Sequence, residues 1–114
     1  MKTASLINNI QYHETRPTIQ VLFETENGKE IRIAFRKNQV MKEHKTPFPI
    51  VVEIFDGAIS FGVNGEVHDL KKGDLISLEG GVPHDLTATE DSIVRLSLNK
   101  GDSASRVEDV AKNS

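Results

Sequence analysis

Residues 50–78 read IVVEIFDGAISFGVNGEVHDLKKGDLISL, in which short apolar runs alternate with turn signals. The turn signals are Asp56-Gly57, Asn64-Gly65 and Lys72-Gly73-Asp74, and no helical period connects the runs between them. Asn-Gly pairs readily adopt the positive φ angles of a two-residue hairpin turn. The pattern therefore predicts strands at residues 50–55, 58–63, 67–70 and 74–78.

The regions on either side continue this pattern. Residues 19–25 and 30–35 flank a second Asn-Gly pair, Asn27-Gly28, and residues 92–98 form a further run of β type. Several short strands with frequent turns are typical of a sandwich or a barrel, and closing a sheet into a barrel removes its exposed edges. We therefore expect an all-β fold.

The strand predicted at residues 50–55, IVVEIF, is apolar on both faces apart from Glu53. Successive side chains of a strand point to opposite faces, so this strand is expected to be covered on both sides. The cover is either a second sheet or a partner subunit. We therefore expect the protein to form a homodimer.

The chain has 114 residues, which is within the usual size of one domain. We assign residues 1–100 to a single domain. Residues 101–114 are small and polar, and we expect them to form a frayed tail with at most one helical turn, at residues 106–112.

Composition excludes several classes of function. The net charge of −3 is spread along the chain without a basic block, which argues against a nucleic-acid partner. No apolar run approaches the roughly 20 residues that cross a bilayer, and the amino-terminal residues lack the apolar stretch of a secretory signal. We therefore expect no membrane contact and a cytoplasmic location. The absence of Cys leaves His, carboxylates and hydroxyls for any chemistry.

One spaced pattern stands out in the second half of the chain. Gly73 is followed by DLISL, then by Glu79-Gly80-Gly81 and by Val82-Pro83-His84. With a second pattern that begins near Met41, residues 41–98 resemble the two motifs of the cupin superfamily, in particular small single-domain bacterial cupins. The resemblance implies a double-stranded β-helix barrel of jelly-roll, RmlC-like type with a pocket near its mouth.

The first cupin motif matches in the spacing of its positions, but two of its metal-ligand positions hold other residue types. His44 and Gly57 take a His and a Gly position, whereas Thr46 and Ile50 replace the second His and the Glu. In metal-binding cupins these positions, with the His of the second motif, hold a divalent first-row metal. The resemblance thus implies His44 and His84 as ligands for Fe, Mn, Ni or Zn, with two of the four ligands missing.

Two other side chains are candidates for completing a metal shell, which generally needs three or more converging ligands. Glu53 has the wrong parity relative to His44, and only a bulge at residues 47–49 would turn it toward the pocket. His68 is expected to have a structural role or to be exposed to solvent.

The pocket is expected to be lined by His44, Thr46, Phe48, Ile50 and His84. A mostly apolar wall with a few polar groups suits a small organic molecule. We therefore expect a small-molecule-binding protein of unassigned reaction. Three alternatives stay open: a metal-dependent enzyme of dioxygenase or isomerase type on His44 and His84, a metal-free acid–base role for one of these His, and a mainly structural homodimer.

Overall fold

The computed structural model describes residues 1–114 and contains nine strands and one helix. The strands are β1 (Thr18–Glu24), β2 (Gly28–Phe35), β3 (Val40–His44), β4 (Ile50–Asp56), β5 (Ala58–Val63), β6 (Glu66–Lys71), β7 (Leu75–Leu78), β8 (His84–Ala88) and β9 (Ser92–Asn99), and the helix is α1 (Ala104–Lys112). The prediction of an all-β fold is confirmed. The β5–β6 turn has the expected positive φ angles, 53° at Asn64 and 77° at Gly65.

The first hairpin turns differently from the prediction. Neither Asn27 nor Gly28 has a positive φ angle, and Gly28 is instead the first residue of β2. A Cβ atom at Gly28 would collide with the main-chain carbonyl oxygen of Leu98 on the neighbouring strand. The glycine is therefore required there for close strand packing and not for the turn.

The strands form two antiparallel sheets that face each other. The five-stranded sheet has the order β1-β2-β9-β4-β7, and the four-stranded sheet has the order β3-β8-β5-β6. The inward-facing side chains of both sheets form, together with Val107 of α1, one core cluster of 15 buried residues. This is the double-stranded β-helix of jelly-roll type that the sequence predicts.

Strands β3 and β8, which carry His44 and His84, pair with each other. His44 and His84 are direct Cα partners in this pairing, although the register shifts between Met41 and His44. The register irregularity thus lies in β3 itself, whereas residues 47–49 lie between β3 and β4.

Strand β4 buries Ile50, Val52 and Ile54 in the core, as its apolar pattern requires. On its other face Val51 is 39% exposed, and Glu53 accepts a hydrogen bond of 2.8 Å from Arg95. The second sheet therefore covers one face of this strand. Homodimer formation stays a prediction.

Residues 101–114 do not fray, and the prediction of a frayed tail was wrong. Ser103 caps α1, since its hydroxyl oxygen accepts a hydrogen bond from the main-chain N–H of Arg106 at 3.2 Å. Val107 and Ala111, one turn apart, are 1% and 0% exposed. A narrow apolar stripe is enough to dock a short helix, although the segment as a whole is polar. At nine residues this helix is far from the length and apolar character needed to cross a membrane.

Candidate functional site

The two imidazoles predicted from the sequence lie together on the inner side of the four-stranded sheet. The ring centroids of His44 and His84 are 4.3 Å apart, and the rings meet edge to face at 62°. On its other side, His84 stacks on Phe61 with centroids 5.7 Å apart and ring planes within 6°. Pairing of β3 with β8 and packing on Phe61 therefore fix the orientation of the His pair.

Hydrogen bonds to the main chain determine the tautomer of both imidazoles. Nδ1 of His44 lies 2.6 Å from the carbonyl oxygen of Lys42, and Nδ1 of His84 lies 2.8 Å from that of Val82. A carbonyl oxygen only accepts, so both Nδ1 atoms carry the hydrogen. In a neutral imidazole this leaves Nε2 as a bare acceptor.

Both imidazoles are neutral near pH 7. Burial lowers the pKa of His44 from its ordinary 6.5 to about 4, and the nearby charge of Arg106 acts in the same direction against the main-chain hydrogen bond. Burial also lowers the pKa of His84, again with a contribution from Arg106. Neither Nε2 atom has a hydrogen-bond partner in the chain, and no fully enclosed side-chain nitrogen or oxygen is left unpaired. The two Nε2 acceptors are therefore unpaired but not fully enclosed.

The interior cavity next to the His pair is small. Its wall contains eight apolar residues and three polar ones, namely Ile33, Met41, Ile50, Val52, Leu86, Val94, Leu96 and Val107 with His44, His84 and Arg106. Its free volume is about 20 Å³. About 10–15 Å³ is needed for one water molecule, so the cavity holds no more than one or two. The apolar residues thus fill the barrel and do not surround a ligand-sized void.

Arg106 is the functional residue that the sequence interpretation missed. Its Nε and Nη2 donate hydrogen bonds of 2.7 and 2.9 Å to the two carboxylate oxygens of Asp102, one helical turn earlier. Asp102 also accepts hydrogen bonds from the Thr46 hydroxyl at 2.8 Å and from the Ser103 main chain at 2.8 Å. Burial alone would raise the pKa of Asp102, but these hydrogen bonds outweigh burial and hold the pKa below 3.8. Arg106 is therefore fixed by an ionised carboxylate.

A larger polar groove runs between β3 and α1 on the outside of the His pair. Its free volume is about 620 Å³, and it is lined by Lys42, Glu43, His44, Ser103, Ser105, Arg106, Asp109, Val110, Asn113 and Ser114. Only His44 and Arg106 line both this groove and the interior cavity. The two residues thus mark the place where the polar groove meets the barrel interior.

The structure separates the five predicted pocket residues into two groups. His44, Ile50 and His84 lie on the wall of the interior cavity. Thr46 and Phe48 do not, in contrast to the sequence prediction. Strand β3 ends at His44, and side chains alternate regularly only within a strand, so Thr46 need not share the face of His44.

The two displaced residues contact the segment that leads into α1. Thr46 is 3% exposed and bonds to Asp102. Phe48 packs on Gly101, where a Cβ atom would lie 2.6 Å from the tip of the ring. Thr46 therefore holds the carboxylate that bonds to Arg106, and Phe48 packs on the residue before that carboxylate.

The residues present do not fit a resident metal ion. No group of three or more His, Asp or Glu side chains converges anywhere in the chain. Glu53 lies on the outer face of its sheet, bonded to Arg95, and His68 is half exposed and lies 3.6 Å from Glu66. The His pair alone supplies two donors, and the guanidinium of Arg106 repels a cation from the same cavity. The missing ligands of the first motif are therefore not replaced by others.

Comparison with known proteins agrees with this fold. The family model of the cupin domain named Cupin_2 matches residues 32–103, which is more than half of the chain. The match ends just before α1, so the segment that carries Arg106 lies outside it. A search of curated proteins finds no match.

Solved structures give the same result at low sequence identity. An RmlC-like cupin protein from Desulfovibrio desulfuricans superimposes with a TM-score of 0.80 at 20% identity, covering 87% of this chain and 96% of that one. An uncharacterized conserved protein with a double-stranded β-helix domain from Klebsiella pneumoniae has a TM-score of 0.79 at 19% identity, covering 90% and 94%. KdgF from Halomonas sp. has a TM-score of 0.70 at 20% identity, covering 79% and 86%. From the family match and this shared fold, the chain belongs to the cupin domain family.

Proposed function

We propose that this protein binds a small organic molecule at the mouth of its barrel, in the groove between β3 and α1. The observation that carries the proposal is that His44 and Arg106 line both the polar groove and the interior cavity. At the inner end of the groove, a bound molecule therefore meets an acceptor on His44 and N–H donors on Arg106.

The free space supports this location. Pockets that bind drug-sized molecules usually enclose about 300–1,000 Å³. The groove, at about 620 Å³, lies within that range, whereas the interior cavity, at about 20 Å³, is far below it. The body of the ligand thus lies in the polar groove, and only a small group reaches His84. The ligand is more polar than the apolar wall expected from the sequence would suggest.

The chemistry of the mouth supports recognition and not a particular reaction. His44 and His84 offer bare Nε2 acceptors, and the Arg106 guanidinium offers N–H donors. The metal-dependent alternative lacks a third protein ligand. We therefore propose binding and assign no reaction.

A ligand screen with matched variants tests this proposal. Uniformly ¹⁵N-labelled protein is titrated with a library of small polar compounds, and the imidazole resonances of His44 and His84 are followed. We expect hits to shift these resonances and to lose affinity in His44→Ala and in His84→Ala. His68→Ala is the control, since His68 is an exposed imidazole on β6 that lines neither the groove nor the interior cavity next to the His pair.

Two results would count against the proposal. The first is that all hits bind His44→Ala, His84→Ala and the wild type equally; the second is that no compound shifts the two imidazoles.

Elemental analysis of tag-free protein tests the metal-dependent alternative. Near-stoichiometric Fe, Mn, Ni or Zn that is lost in the His44→Ala, His84→Ala double variant would favour the metal-dependent enzyme instead.

A further inference from the structure

The unpaired hydrogen-bonding groups at the mouth form a defined pattern. Two Nε2 acceptors are unpaired and not fully enclosed, one on His44 and one on His84. Arg106 contributes a donor, because its hydrogen bonds to Asp102 use Nε and Nη2 and leave Nη1 without a partner in the chain. A complementary ligand must therefore donate to an imidazole and accept from a guanidinium.

The edge of the Arg106 guanidinium that does not face Asp102 favours an anionic acceptor group, although Asp102 already pairs with its other edge. The groove also contains Lys42, Glu43 and Asp109, but these three side chains are exposed and are screened by water and salt. Arg106 is half buried and is the one charged residue that the groove shares with the interior cavity. Hydrogen bonds between ions of opposite charge are stronger than neutral ones, and a guanidinium matches a carboxylate in shape.

Space restricts the donor group. The interior cavity has room for only one or two atoms the size of a water molecule, so the group that reaches the His pair is small. A hydroxyl meets this limit and donates one hydrogen, as a bare Nε2 requires.

We propose that the ligand is a small hydroxy acid, with its carboxylate on Nη1 of Arg106 and its hydroxyl donating to Nε2 of His44 or His84. This inference rests on the proposed function and specifies its ligand class. Asp102 and Thr46 act as positioning residues, because they hold the opposite edge of the guanidinium.

A set of four-carbon compounds tests the inference on the wild-type protein, without any variant. The probes are 2-hydroxybutyrate, 3-hydroxybutyrate, butyrate and 1,3-butanediol, titrated into ¹⁵N-labelled protein. At least one hydroxy acid is expected to bind about tenfold or more tightly than both butyrate and the diol, since each omits one of the two interactions. Binding by the hydroxy acid is also expected to shift the Nε2 resonance of His44 or His84.

Two variants of equal charge change locate the carboxylate. Arg106→Gln is expected to reduce binding of the hydroxy acid to about the level of the diol, whereas Lys42→Gln, which removes an exposed cation from the same groove, leaves it within about twofold. An equal loss in both variants would overturn the role of Arg106. Thermal unfolding of each variant shows whether the fold is retained.

The results separate this inference from the proposed function. If other library compounds shift His44 and His84 while neither hydroxy acid exceeds butyrate and the diol, the hydroxy-acid inference is wrong and the binding function stands. If no compound shifts the two imidazoles, both are wrong.

Discussion

The Thr46 hydroxyl donates a hydrogen bond of 2.8 Å to the Asp102 carboxylate and so joins the segment after β3 to the start of α1. Asp102 in turn holds Arg106 through both of its oxygens. The three side chains couple the helix to the barrel mouth. The position of α1, and with it the shape of the groove, depends on this network.

Removing the charge of Asp102 is expected to weaken that coupling. Asp102→Asn should lower the free energy of unfolding by about 1–3 kcal/mol, because the carboxylate is buried and its partners lose a charged acceptor. Urea unfolding at pH 7 measures the change. Asp109→Asn, an exposed acid on the same helix, is the control and should change stability by less than about 0.5 kcal/mol. Equal effects of the two substitutions would mean that the network does not stabilise the fold.

The lowered pKa of His44 predicts a loss of stability in mild acid. The pKa is about 4 in the folded chain against 6.5 ordinarily, so the unfolded chain binds more protons between these values. The stability that the folded state gains by keeping His44 neutral is therefore fully present above about pH 6.5 and is lost as the pH falls toward 4. Urea unfolding at pH 7 and at pH 5 should show a smaller pH-dependent loss in His44→Gln than in the wild type.

Two features make this pH experiment specific. The pKa of Asp102 is held below 3.8, so its protonation contributes below the chosen pH range. His68→Gln removes an exposed imidazole and serves as the control. If the wild type and His44→Gln lose the same stability between pH 7 and pH 5, the neutral His44 of the folded state is not the cause.

Truncating the buried face of α1 should destabilise the fold and enlarge the cavity. Val107→Ala removes two methyl groups from a side chain that is 1% exposed and that lines the interior cavity. We expect a loss of about 1–3 kcal/mol in urea unfolding, from lost burial and from the void that remains. The same substitution at Val67, which is 69% exposed, is the control. A similar small loss at both positions would show that α1 is not docked in solution.

The loop before β8 depends on a close approach to the segment after β3. A Cβ atom at Gly80 would collide with the main-chain carbonyl oxygen of Pro47. The main-chain N–H of the next residue, Gly81, donates a hydrogen bond of 2.7 Å to the main-chain carbonyl oxygen of Thr46. Gly80→Ala should therefore cost about 1–3 kcal/mol and shift the resonances of His84. Glu79→Ala, at the exposed neighbour, should do neither. Unchanged stability of Gly80→Ala would indicate that the loop relaxes freely.

The strands and the His pair could be predicted from the sequence for local reasons. Apolar alternation and the Asn64-Gly65 turn act over a few residues, and the resemblance of residues 41–98 to the two cupin motifs implied that His44 and His84 would meet. The prediction for Thr46 failed because parity holds only while a strand continues, and the end of β3 at His44 depends on its pairing with β8.

The sequence alone thus determined an all-β fold, since short-range periodicity and turn residues are written directly in the order of the residues, and its resemblance to the cupin motifs implied the barrel. Only the tertiary structure decided that Arg106 lies beside the two imidazoles and that Thr46 and Phe48 contact the segment before α1. It also decided that most of the free space lies outside the barrel. The physical reason is that a polar segment with one narrow apolar stripe becomes a docked helix only when a core is present to bury Val107 and Ala111.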